Sequence, residues 1–488
     1  MIQYVLMKTL HKKKAIALYE TRLRPGFVVK TAICYIFAAL IWYVIAVIVP
    51  YTAPVKISAA DSARITREAF SASARQISAP DGGKEHALLM PTSEETFCRR
   101  LRMVEDAETS LDHIVFDTYE GEFSEYYYTA LICAADRGVK VRILSDGKLG
   151  KLVGSLAPLG RIIENHDNIE LYFFNEFNFW QPSALMTLMH DKVLIADGNK
   201  MIVGGVNMGT GAYLNNFDME VMITNSGDNG SVGQAERYYE QMLGSDCVER
   251  HKAKTKDHSA KRGYVERYRK YYAQCGIADE IIDYEKQGIA VDKVTYLTNP
   301  ISVKRKAPVI LQAIFNLAES SEKSIMVTPY TLLQNEKKQK IRELAAKSQS
   351  FKLITNSLYN TRNVAYADYV YTREDYLSPN LELYEFQAEN QLHAKVFSFD
   401  NRFSVIGSFN MDERSAHIDT ESVVVIDSPE FNAVLNEYIE STFLKNSLLV
   451  GLDNEYVRDE NVSAGSVPSD KKFKYALYRI LGIVRYLI

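Results

Sequence analysis

The chain has 488 residues, 47% hydrophobic and 24% charged, which excludes a mainly disordered, collagen-like or coiled-coil protein and gives length for roughly two to three domains. Its 57 Lys and Arg against 61 Asp and Glu leave a net charge of −4, so the overall basic footprint expected of a nucleic-acid binder is absent. Five cysteines, none in a Cys-x-x-Cys pair, exclude a disulfide scaffold and offer zinc no ready cysteine site.

Residues 1–30 form a basic N-terminal segment. The nineteen residues from Thr31 to Val49 carry no charge; as a helix they span about 28 Å, enough to cross a hydrocarbon core. The run is longer than the apolar part of a signal peptide and starts further from the N-terminus. Segment 31–51 therefore reads as an uncleaved transmembrane helix, in preference to a cleaved signal or a buried helix. Seven Lys or Arg lie in residues 1–30 and four in the thirty residues from Tyr51 to Pro80. That bias puts the N-terminus inside and the main body outside.

Residues 52–92 are rich in Ala, Ser, Gly and Asp and read as a tether with one short helix around Ser62–Ser73. From Ser93 the pattern changes to that of an α/β fold. Thr96–Glu108 has helical spacing, Leu111–Tyr119 reads as a strand, and Tyr126–Arg137 as a helix stopped by Gly138. Val139–Leu144 alternates like a strand and meets a turn at Asp146-Gly147. The plan recurs further on: helix Pro308–Glu319, strand Ser324–Val327, helix Lys337–Lys347, strand Phe351–Thr355. One arrangement seen twice predicts two similar α/β lobes, at 93–226 and 308–450. The connector, 227–307, holds a basic stretch, Arg250–Lys270, with nine Lys or Arg, two acids and interleaved Tyr264 and Tyr268. It reads either as a solvated helical connector or as a surface for anionic phosphates or membrane headgroups. The tail, 451–488, ends in a basic amphipathic helix, Lys471–Ile488, suited to lying in a membrane interface or packing on the body.

Two segments carry the chemistry: MHDKVLIADGNKMIVGGVNMG (189–209) and LHAKVFSFDNRFSVIGSFNMD (392–412). His190, Lys192, Asp197 and Asn207 in the first match His393, Lys395, Asp400 and Asn410 in the second at identical offsets. Small residues follow in both, Gly204-Gly205 and Gly407-Ser408, and an acid stands 28 positions after each His: Asp218 and Glu421. A single His on an apolar strand is usually a satisfied core residue; two copies with four matched offsets are not explained that way. Residues two apart on a strand share a face, so each His and Lys project together. The small residues let the Asn approach the same space. With the lobes face to face, the two quartets meet in one cleft.

Two His, two Lys and two Asn suit phosphodiester chemistry that needs no metal and no cofactor. One His can attack phosphorus and the other can move protons to and from the alcohols. Ammonium and amide groups would hold the phosphoryl oxygens as charge builds. Asp218 and Glu421 are placed to orient the rings. Asp197 and Asp400, at the strand ends, fit a structural role.

The paired His-x-Lys-x4-Asp signature resembles the phospholipase D superfamily, from about Thr96 to Asp427. AADRGVKVRILSDG (134–147), LITNSL (353–358) and GSFNMDERSAHIDTE (407–421) are similar to its bacterial cardiolipin synthase branch. The resemblance implies two phospholipase D-like α/β lobes around one shared active site, preceded by one transmembrane helix. It implies ping-pong phosphatidyl transfer through phosphohistidine, with His190 as nucleophile and His393 as general acid and base. The implied partners are a membrane and a phospholipid, phosphatidylglycerol, with cardiolipin as product and no nucleic acid; the oligomeric state stays open. The alternatives are a phospholipase D releasing phosphatidic acid, a phosphodiesterase acting on nucleic acid, and a non-enzymatic membrane scaffold. The chain departs from the branch at Met208-Gly209-Thr210-Gly211, at Asp419 and at Tyr359–Arg362, positions that bear on the acceptor.

Overall fold

The computed structural model describes residues 7–14, 25–71, 84–226, 230–252, 260–274, 284–478 and 487. An apolar helix, Pro25–Ile48, continues through a short turn to Tyr51. The stretch Val28–Tyr51 is long and apolar enough to cross a membrane, and its most apolar part is not buried against the body. A helix that exposes Ile33, Ile36, Phe37, Leu40 and Trp42 has the surface of one solvated by lipid.

The body is built on two large sheets of the same plan. The first runs, in spatial order, Ile289–Ala290, His86–Met90, Glu220–Thr224, Lys200–Gly204, Val193–Ala196, Ser110–Val115, Lys140–Asp146, Ile169–Phe174 and Val248–His251. The second runs Lys293–Thr298, Ser422–Asp427, Phe403–Gly407, Val396–Phe399, Lys323–Val327, Ser350–Asn356, Glu382–Phe386 and Ser447–Leu449. Apart from the first sheet's extra edge strand, the two orders correspond strand for strand. Each has a parallel trio joined by crossover helices and an antiparallel group that carries the motif.

The motif strands show why the sheets face one another. Val193 and Ile195 point into a central core with Val396, Ile406, Val424 and Ile426. Leu194 and Ala196 point the other way, into the core under the first lobe's helices. Phe397 and Phe399 do the same in the second lobe. With both faces covered, these strands are apolar at nearly every position, as buried strands must be. The result is a helix–sheet–sheet–helix stack of two lobes.

Several local expectations shift. The helix expected at Ser62–Ser73 is two short ones, Ala59–Arg64 and Arg67–Phe70. Thr66 separates them, its side chain accepting from the Ala69 amide as an N-cap (3.3 Å); residues 72–83 lie outside the described ones. This part of the tether is docked. Ile65 and Phe70 are buried in the second lobe, and Arg67 bonds Ser321 and Asp400. The end of the tether region, His86–Met90, is a strand of the first sheet. Likewise, the end of the connector supplies edge strands to both sheets. Composition misses such strands because two to six residues carry little pattern. The strand expected to reach Tyr119 stops at Val115, and the turn that follows aims Phe116 at His190.

The basic stretch forms the helix Lys261–Gln274, with 253–259 outside the described residues. Tyr264 and Tyr268 are buried against the first lobe, Tyr271 stacks on Tyr126 at 4.3 Å, and Arg267 pairs with Glu125. The tyrosine spacing is thus a packing face, which favours the connector over the phosphate surface. Of the tail helix, Ser469–Tyr478 is described. Tyr475 is buried while Phe473 and Leu477 are exposed; positions 479–486 and 488 lie outside the described residues.

Candidate active site

The two motif segments meet where the sheets face each other, around a cavity of about 500 Å³ lined by His190, His393, Asn207 and Asn410. Each lobe delivers its histidine through a short contact with the other lobe. The His190 amide donates to the Thr420 carbonyl (3.0 Å), and the His393 amide to the Phe217 carbonyl (2.7 Å). The residue after each of those carbonyls is the orienting acid. The acids are therefore exchanged between lobes. Nδ1 of His190 lies 2.9 and 3.0 Å from the carboxyl oxygens of Glu421, and Nδ1 of His393 lies 2.5 Å from Asp218. A carboxylate opposite Nδ1 fixes the ring and leaves Nε2 as the other working nitrogen.

Lys192 and Lys395 are buried beside the rings. Lys192 Nζ donates to the His190 carbonyl (2.6 Å) and sits 4.7 Å over the Phe116 ring. Lys395 Nζ donates to the His393 carbonyl (2.5 Å) and lies 2.9 and 3.2 Å from the ring nitrogens. Burial, and after it the other site lysine, lowers Lys192 to about 7. Burial lowers Lys395 to about 8, against the pull of Asp218 and Glu421. Loss of water disfavours the charged form of each buried ammonium.

The two histidine pairs differ. Burial, then Lys192 and Lys395, hold His190 well below the usual imidazole range. Its partner Glu421 is pushed up to about 8, chiefly by burial, although the hydroxyls of Ser408 and Ser415 both donate to it. That pair tends toward loss of charge. Burial also acts on Asp218, but Lys395 and His393 outweigh it and hold the carboxyl below its ordinary value. The His393 ring, lowered by burial and Lys395, is pulled back up by this ionised neighbour.

Asn207 and Asn410 occupy matched places on the cavity wall, and each has a buried side-chain oxygen with no partner among the described residues. Gly205 and Ser408 sit at equivalent turns with different work. A Cβ on Gly205 would lie 2.6 Å from Asp218 and 3.2 Å from Lys395, so a hydrogen is all the space allows. Ser408 has room for its hydroxyl and uses it on Glu421. Asp197 and Asp400 are not in the cleft. At positive φ (51° and 54°), each accepts backbone amides, from Thr109 and Ser110 (2.8 and 3.1 Å) and from Glu322 and Lys323 (2.7 and 3.1 Å). They tie the end of each motif strand to the start of the neighbouring strand.

Sequence reasoning missed several residues of the site. Phe116 packs its edge on His190 at 4.6 Å. Ser415 belongs to a short helix whose cap is Asp412. Asp419, noticed only as a departure, accepts from the Leu188 amide (2.9 Å) and from Arg414. It thereby anchors the approach to His190 on the second lobe. None of these falls at an offset shared by the two copies, so the repeat does not reveal them.

Similar proteins agree with this architecture. The sequence model of the family described as cardiolipin synthase, PLD-like domain, matches residues 101–243 and again 314–443. Cardiolipin synthase C of Escherichia coli K12 is 26% identical over 400 residues, covering 72% of this chain and 83% of that protein. The minor cardiolipin synthase of Bacillus subtilis 168 is 22% identical over 358 residues, covering 72% and 79%. In fold, the chain is similar to the phosphatidylserine synthase of Haemophilus influenzae Rd KW20, with a TM-score of 0.60 at 13% identity over 83% of this chain and 95% of that one. With the family's domain present twice and covering more than half of its length, the chain belongs to the phospholipase D superfamily, in the cardiolipin synthase, PLD-like domain family.

Proposed function

We propose that this protein is a membrane-anchored phosphatidyltransferase that forms cardiolipin from phosphatidylglycerol through a covalent phosphohistidine. The observation that carries the reading is one cavity in which the histidine of each lobe faces a carboxyl of the other lobe. A neutral His190 whose Nδ1–H is donated to the Glu421 carboxyl would keep its Nε2 lone pair free to attack phosphorus. The P–O bond to the leaving glycerol breaks as the N–P bond forms. His393 stands against an ionised carboxylate that supports imidazolium, so its Nε2–H donates the proton to the leaving oxygen. In the second half, His393 takes the proton of the incoming lipid hydroxyl, that oxygen attacks phosphorus, and the N–P bond breaks.

Lys192 and Lys395 would hold the non-bridging oxygens, and the substrate's negative charge would restore their protons. Asn207 and Asn410, on the cavity wall, would donate their side-chain amide N–H groups to the same oxygens. The apolar helix would hold the body at the bilayer. The Lys and Arg bias favours an inside N-terminus and an outside body.

The test is lipid mass spectrometry of a cardiolipin-deficient bacterium expressing the chain, beside a His393→Ala control. Cardiolipin with the unaltered chain alone is the expected result. Phosphatidic acid without cardiolipin would replace transfer by hydrolysis, and unchanged lipids would turn attention to other phosphodiesters.

A further inference from the structure

Between the strand ending at Phe174 and the segment entering His190, the chain makes a loop, residues 175–187. Its neck is firmly tied. Asn175, at φ 52°, donates from its side chain to the carbonyls of Ala184 and Thr187 (both 2.7 Å). Lys148 donates to the same two carbonyls (3.0 and 2.7 Å). A loop so fixed at its base could bury its tip cheaply, yet the tip is aromatic and open. Phe177 is 66% exposed, Phe179 55% and Trp180 85%. Three large aromatics so close together in water are unfavourable and mark a surface that meets an apolar partner.

The neighbour of this tip identifies the partner. Phe179 stacks on Tyr43 of the apolar helix, ring centroids 4.9 Å apart and nearly parallel. Eight residues on, Tyr51 ends that helix fully buried in the body. Its hydroxyl bonds Thr187 (2.9 Å), the Val303 carbonyl (2.9 Å) and the Ser183 carbonyl. Eight helical residues span about 12 Å, so the tip stands beside the helix about 12 Å from the point where it enters the body. Aromatic side chains at such a level suit the boundary between headgroups and acyl chains.

We propose that the Phe177–Trp180 tip is a second membrane-inserting element, embedded in the phospholipid layer beside the apolar helix. Tip and helix would grip the bilayer at two points. The loop leads through Leu188, a lining residue of the cavity, to His190, so the grip turns the cleft toward the lipid surface. The proposal rests on the reading of Val28–Tyr51 as membrane-spanning.

Trp42 and Trp180 are the chain's two tryptophans, which allows a direct test. The full chain is reconstituted in phosphatidylglycerol-containing vesicles with acyl-brominated lipid, as W42F and as W180F. Trp180, alone in W42F, is expected to show blue-shifted emission quenched by the brominated lipid, as Trp42 does in W180F. Trp42 quenched but Trp180 water-like and unquenched overturns the inserted tip and leaves the spanning helix intact. Neither quenched overturns both. As a second readout, F177S/F179S/W180S should lower turnover on vesicles about tenfold while sparing turnover of short-chain lipid in detergent. Equal loss on both substrates would make the tip a structural support of the site and refute the proposal.

Discussion

At the scale of single residues, the site depends on atoms that have no spare space. Gly205 faces Asp218 and Lys395 so closely that one added methyl must displace one of them. Gly205→Ala is expected to lower activity about a hundredfold through misplacement of the His393 group. Thermal unfolding should change little; a variant with undiminished turnover would refute this packing argument. The lysines make a second prediction, in pH. Lys192 and Lys395 lose their protons near 7 and 8 in the free protein, and only the ammonium form attracts phosphate. kcat/KM, which reports the free enzyme, should therefore fall as pH rises through 7 to 8, far below the range of an ordinary lysine. Lys192→Arg keeps its charge at any such pH and should move the alkaline limb upward, from about 7 toward the value of about 8 set by Lys395, at a reduced maximum. A limb unmoved in that variant would assign it to another group.

At the scale of elements, the first lobe's helix Ser93–Glu105 is fastened to the strand Glu220–Thr224 by a buried ion pair. Arg100 donates twice to Glu220, at 2.7 and 2.6 Å, with both side chains out of water. Removing one partner leaves an uncompensated charge, which costs about 3–5 kcal/mol. Arg100→Met is expected to lower stability by that amount in denaturant unfolding, and Arg100→Met with Glu220→Met by much less. The strand matters for function because Asp218 stands two residues before it. The start of the helix at Ser93 is set by the Thr92 cap, whose side chain accepts from the Glu95 amide at 3.2 Å; the helix itself was legible from its spacing. Its connection to the strand was not, because Arg100 and Glu220 are 120 positions apart and neither residue type is expected to be buried.

At the scale of the whole molecule, each histidine is oriented by an acid from the opposite lobe. Neither lobe holds a complete histidine–carboxyl pair, so one lobe expressed alone should be inactive even where it folds. Because the sheets share one core within a single chain, co-expressed His190→Ala and His393→Ala chains should remain inactive together. Restored activity in that mixture would show lobes exchanged between chains.

The sequence by itself determined the duplicated α/β plan, the apolar N-terminal span and the two matched quartets. These are repeated or periodic features, and a period survives reading in one dimension. Tertiary structure alone decided that the acids cross between lobes and that Ser415, Phe116 and Asp419 join the site. It also decided that an aromatic loop tip lies against the apolar helix. Those contacts join residues far apart in the chain, each chosen by shape and unmet hydrogen bonding at one place, and such choices leave no regular spacing to be read.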